Sequence, residues 1–176
     1  GEEELKRARL GVDWIPVMGC AGEFSGALVV AGFGIRSGDD RYDDLAKVQL
    51  EGAVAVIISG EPRHKRKFDG PEQSEAASLW AKLKALEDAG VEGVVVVRRG
   101  VELPKGKRSE FEPLPLGYRY THARFPGVRE VRPPRRRPPV VEVTPAFAER
   151  LFGQDLMQIA AGVDRSGRPK RIKGQR

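Results

Sequence analysis

Two short runs constrain this chain more than anything else in it. Ala53-Val-Ala-Val-Ile-Ile58 and Val94-Val-Val-Val97 are apolar at every position and rich in β-branched residues. A strand with one wet face alternates apolar and polar positions. These runs do not alternate, so both are predicted to be strands buried on both faces. Between them, Ala76, Leu79, Trp80, Leu83, Leu86 and Ala89 recur at three and four, the spacing of one helix face. Pro71 suits the first helical position, Glu72 and Glu75 suit the first turn, and Gly90 suits the end. The whole is a strand–helix–strand unit, with a crossover long enough for a parallel pair. Trp80 falls on the apolar stripe and is expected in the core.

The flanks carry weaker signals. Residues 2–10 have acidic side chains first and basic ones later, the order a short helix prefers, and Gly11 would stop it. Residues 12–18 read as extended and broken by Pro16, and a strand is expected around Leu28, Val29 and Val30. Ser37-Gly-Asp-Asp-Arg41 is turn chemistry, and residues 42–46 suit one helical turn capped by Asp43 or Asp44. Residues 140–143 form a further strand. Thr144 then caps a helix with Pro145 at its first position and Phe147, Leu151 and Phe152 facing inward, and residues 155–160 add another turn or two. Residues 101–139 are rich in Pro, Gly and basic side chains, with one edge strand expected in 111–120.

Composition removes several function classes. The chain has 176 residues, room for one ordinary domain. Its longest apolar runs are far too short to cross a bilayer as a helix. Residues 1–10 are densely charged and do not read as a secretory signal. One cysteine, Cys20, excludes an internal disulfide framework and a Cys-based zinc site; it is expected to be a small buried side chain. Two histidines leave little material for a catalytic metal centre. The net charge of +6 is uneven: residues 98–137 carry 12 basic against 4 acidic side chains, and residues 164–176 carry 6 against 1. The rest is net acidic. The basic character therefore belongs to an insertion and a tail, and it does not argue for a nucleic-acid partner, whose recognition motifs are also missing.

Three stretches resemble the protease-associated domain, a module found in or beside many secreted peptidases and in sorting and transferrin-type receptors. They are Gly52-Ala-Val-Ala-Val-Ile-Ile-Ser-Gly60, Lys84-Ala-Leu-Glu-Asp-Ala-Gly-Val-Glu-Gly-Val-Val-Val-Val97, and Pro139-Val-Val-Glu-Val-Thr-Pro145. Ala31-Gly-Phe-Gly-Ile35, followed by Tyr42-Asp-Asp-Leu45, is similar to versions of the domain that accompany co-catalytic zinc aminopeptidases. The segment 144–169 looks like their linker towards the peptidase. The resemblance covers residues 22–169, after a lead-in at 1–21 and before a basic tail at 170–176. The Arg- and Pro-rich stretch 129–137, within the insertion 101–139, departs from it.

The resemblance implies an α+β, mainly β fold: a small β-sandwich or open barrel with flanking helices. It implies a lid or recognition module without catalytic residues or a cofactor of its own, with zinc expected only in a separate peptidase domain. The expected partners are that peptidase domain and a peptide or protein ligand, and the expected location is extracellular or periplasmic. A stand-alone receptor module, a hydrolase and a basic nucleic-acid binder are the competing readings.

Gly32-Phe-Gly34 with Gly38 is not a dinucleotide fingerprint, because Ser37 stands where the last glycine belongs; a turn or bulge is expected. Asp39, Asp40, Asp43 and Asp44 have the ligand chemistry of calcium but not the EF-hand spacing, so capping and solvation are the plainer roles. Arg63, His64, Lys65 and Arg66 lie in the loop after a central strand. They are either a solvated loop or, by the family position, a surface for a partner domain or an acidic peptide end.

Overall fold

Each apolar run becomes a strand of one sheet. The computed structural model describes residues 8–17, 20, 22–64, 66–68, 74–99 and 137–170. Its strands are β1 (Trp14–Pro16), β2 (Leu28–Val30), β3 (Arg36–Ser37), β4 (Tyr42–Asp43), β5 (Val54–Ile58), β6 (Gly93–Val97) and β7 (Val140–Val143). The helices are α1 (Leu79–Asp88), α2 (Pro145–Phe152) and α3 (Leu156–Ser166), with a 3-10 turn at Glu75–Ala77. The main sheet has the order β1-β7-β6-β5-β2, and β3 and β4 form a separate two-stranded ribbon. Strands β2, β5, β6 and β7 are parallel, and β1 runs antiparallel along β7.

The expected α+β class, with its strand–helix–strand unit, is the class observed. Within that class the described strands form an open, mainly parallel sheet plus a ribbon. Strands β5 and β6 pair in parallel from Val54↔Gly93 to Ile58↔Val97, with α1 as the crossover. Gly93 has a packing reason: the Phe24 ring occupies the space a Cβ would need.

The unbroken apolar runs follow from burial on two sides. Val54, Val56 and Ile58 face α2 and α3 with Val95, Val97 and Val143, meeting Phe147, Ala148, Leu156, Ile159, Ala160 and Val163. Ala55, Ile57, Val94 and Val96 face the other way, towards Leu83 and Leu86 of α1. Each such Val, Leu, Ile or Phe side chain contributes roughly 1.5–3 kcal/mol when fully buried. Cys20 is buried in this second layer, as expected.

Local chemistry sets the helix ends. Thr144 Oγ1 accepts the Phe147 amide at 3.2 Å, and Pro145 opens α2. Gly153, left-handed at φ 63°, closes α2. Asp155 caps α3, which runs to Ser166, well beyond the one or two turns expected.

Three expectations are corrected. Helix α1 begins at Leu79, after Pro71, because Ser78 is extended and its Oγ accepts the Ala81 amide at 3.2 Å. The buried stripe is Lys82, Leu83 and Leu86, and Trp80, about 120° round the helix from Leu86, faces outward, 49% exposed. Its ring packs against the Arg137 guanidinium, 4.3 Å from the centroid. Tyr42 and Asp43 belong to the ribbon rather than to a helical turn. The expected capping survives one step later, where Asp43 Oδ1 accepts the amides of Leu45 and Ala46 at 2.8 and 3.0 Å. The edge strand expected in 111–120, most of the helix expected in 2–10, and Pro71 lie outside the described residues.

Candidate functional site

In open sheets of parallel strands, ligands are bound beyond the carboxyl ends of the strands. Here that edge gathers the turn after β2, the loop after β5, the residues after β6 and the last turns of α3. The polar side chains at it fall into two linked groups.

The first surrounds Asp44. Gly32 and Gly34 have φ values of 58° and 69°, and the turn they make aims two amides inward. Asp44 Oδ2 accepts those of Phe33 and Ile35 at 2.9 and 3.3 Å, and Oδ1 accepts the Tyr42 hydroxyl at 2.7 Å. The glycine-rich turn is an anion cradle already filled by the chain's own carboxylate. Both Asp44 and Tyr42 are buried. Burial pushes the Asp44 carboxyl up to about 6, against the opposing pull of the Tyr42 hydroxyl, the two amides and the Lys82 charge. Burial, and the facing Asp44, push the Tyr42 hydroxyl well above its ordinary value.

Lys82 is the buried cation of this group, 2% exposed. Its Nζ donates to the carbonyl of Ile58 at 3.3 Å and to that of Gly60, closing the carboxyl end of β5. Burial lowers it to about 8, partly offset by the charges of Asp44 and Glu61. Glu61 Oε2 in turn accepts the amide and hydroxyl of Ser74 at 3.1 and 2.6 Å.

The second group is a clamp. Arg99 grips Asp164 with both guanidinium nitrogens, Nη1 to Oδ1 at 3.2 Å and Nη2 to Oδ2. Nη1 also donates to the Glu61 carbonyl at 3.1 Å, and the guanidinium lies over the Phe33 ring. Asp164 Oδ1 accepts the Arg63 amide at 2.7 Å, and Ser59 Oγ accepts the Arg99 amide at 2.7 Å. The loop after β5 is thereby tied to β6 and to α3.

Of the candidate loop residues, Arg63 and Arg66 are exposed and side by side with His64. The His64 ring packs on Gly167, where a Cβ would approach to 2.9 Å, and its Nδ1 faces the Arg66 amide at 3.3 Å. Lys65 lies outside the described residues. The acidic quartet has structural occupations at three positions: Asp40 bonds Ser37 Oγ at 2.8 Å, Asp43 pairs with Arg36 at 3.3 Å, and Asp44 fills the cradle. Among the described residues, no group of three or more His, Cys, Asp or Glu side chains is arranged to hold a metal ion. No described helix is long and apolar enough to cross a membrane.

Sequence reasoning passed over Lys82, Arg99 and Asp164. Lys82 had a signal: it is a lysine inside an apolar stripe, between Leu79 and Leu86. Arg99 and Asp164 had none, being 65 residues apart and set among other charges. No protein-family model matches the chain, and no curated protein matches it significantly.

Proposed function

We propose that this chain is a protease-associated-type module, acting as a lid or recognition surface of a larger zinc aminopeptidase-like protein outside the cytoplasm. The resemblance of residues 22–169 motivates the reading. The observation that carries it is the clamp. Asp164 and Arg99 hold the 59–63 backbone against β6 and α3, so that Arg63 and Arg66 stand exposed on a braced loop. A rigid loop loses little conformational freedom when a partner docks, which favours binding. The buried ionisable groups beside it are engaged with backbone and with one another, an arrangement suited to bracing. Its mechanism is steric and recognitional: braced loops beside an active site filter substrates by size and charge.

The test is a kinetic comparison in the parent protein. Arg63→Ala with Lys65→Ala and Arg66→Ala should weaken docking or alter substrate preference while the fold persists. Unchanged docking and preference would reject the loop's role. Turnover of peptide substrates by this chain alone would instead make it a hydrolase.

A further inference from the structure

The two edges of the main sheet are built differently. At β1, Pro16 has no amide hydrogen to offer, and both outward groups of Trp14 are bonded within the chain, its amide to the Arg9 carbonyl and its carbonyl to the Gly11 amide. That edge is closed against further strands, as natural edges usually are.

Among the described residues, the β2 edge has no such protection. The Val54 amide donates to Ala27 and the Ala31 amide to Val56, so residues 27, 29 and 31 turn their backbone groups towards β5. The parallel ladder then directs those of Leu28 and Val30 away from the sheet, where no described strand pairs with them. Against this edge lies a cavity of about 340 Å³ whose lining includes Val29, Val30, Gly32, Lys47, Val48 and Lys170. Its lining sets β2 on one side and residues 46–49 on the other.

The charges at its rim are unequal in what they leave over. Asp43 is paired with Arg36, and Asp44 is spent on Tyr42 and two amides. Lys47 and Lys170 are exposed, and neither makes an ion pair among the described residues. The unsatisfied chemistry is a strip of backbone donors and acceptors flanked by two cations. Its complement is an extended acidic peptide.

We propose that an acidic peptide segment adds as a strand to β2, bonding the free backbone groups of Leu28 and Val30 and placing carboxylates at Lys47 and Lys170. Main-chain bonds give such a complex its affinity, and the lysines give it selectivity. This site is separate from the Arg63–Arg66 loop and stands whether or not a peptidase is attached.

The test is an NMR titration of the full chain with a synthetic peptide of about eight residues, alternating Val and Glu. The expected result is saturable binding, with slowed exchange at the Leu28 and Val30 amides. Lys47→Glu combined with Lys170→Glu, both on the surface, should weaken it about tenfold. Val30→Pro should abolish it by deleting the outward donor. Three results would each overturn the proposal: no saturable binding, equal binding of a peptide with Lys in place of Glu, or affinity unchanged in the double lysine variant. Shifts confined to Arg63 and Arg66 would also overturn it, while supporting the loop as the recognition surface.

Discussion

Arg99 and Asp164 form a two-point ion pair across 65 residues of chain, and the same carboxylate receives the Arg63 amide. Three segments distant in sequence therefore meet at one side chain. Both partners are mostly buried, at 14% and 18% side-chain exposure, so removing one leaves the other charge poorly solvated. Asp164→Ala should lower stability by about 2–4 kcal/mol in urea unfolding. Hydrogen exchange at the Arg63 amide should rise more than at β5. A uniform rise across the sheet would show that Asp164 does not brace this loop specifically.

Asp44 sets a pH dependence with a definite sign. Its folded carboxyl is raised to about 6 from 3.8, so the folded chain binds this proton more tightly than the unfolded one. Its contribution is therefore most favourable below about 4 and is lost as pH rises through 6. The span corresponds to about 3 kcal/mol at most. Asp44→Asn keeps an acceptor for the Phe33 and Ile35 amides and removes the titration. Urea midpoints at pH 4.5 and pH 7 should differ less in that variant than in the parent chain. An equal difference in both would assign the dependence to another group.

Much of this architecture was readable because burial on two faces leaves an uninterrupted apolar run. That is why β5 and β6 fall where expected; β7, Val140–Val143, carries Glu142 and was marked instead by its valines between Pro139 and the Thr144-Pro145 helix start. Thr144-Pro145 marked the start of α2 for an equally local reason, a cap followed by a residue preset for helix. The start of α1 was misplaced because Pro71 and Ser78 compete as start signals, and only packing shows that Ser78 is extended. Trp80 lies outside for a different reason: at roughly 100° per residue it stands about 120° round the helix from Leu86, beyond the arc that Lys82, Leu83 and Leu86 bury. The polar groups were the least readable. The Gly-Phe-Gly segment was expected to be a turn or bulge, and it is a turn; that the turn cradles an anion shows only with its occupant, Asp44, ten residues past Gly34. Arg99 and Asp164 meet only through the tertiary fold.

Gly32 tests the cradle directly. Its φ of 58° is left-handed, and a Cβ there would collide with Asp44 Oδ1. Gly32→Ala adds about 1–2 kcal/mol of backbone strain to the displacement of a carboxylate holding three hydrogen bonds. A total loss of about 3 kcal/mol is expected, with weakened protection of the Phe33 and Ile35 amides. In an Asp44→Ala background the collision is gone, and Gly32→Ala should then cost little beyond its backbone strain. The same loss in both backgrounds would mean that the carboxylate is not what Gly32 makes room for.

Leu86 and Trp80 separate burial from sequence pattern on a single helix. Both sit at apolar-stripe spacing, but Leu86 is fully buried while Trp80 is 49% exposed. Leu86→Ala removes methyl groups packed against the sheet and leaves a cavity, at about 2–5 kcal/mol. Trp80→Ala loses a half-exposed ring and its contact with Arg137, at roughly 1 kcal/mol or less. Chemical denaturation of the two variants should therefore give clearly different midpoints, with Leu86→Ala the lower. Equal losses would restore Trp80 to the core.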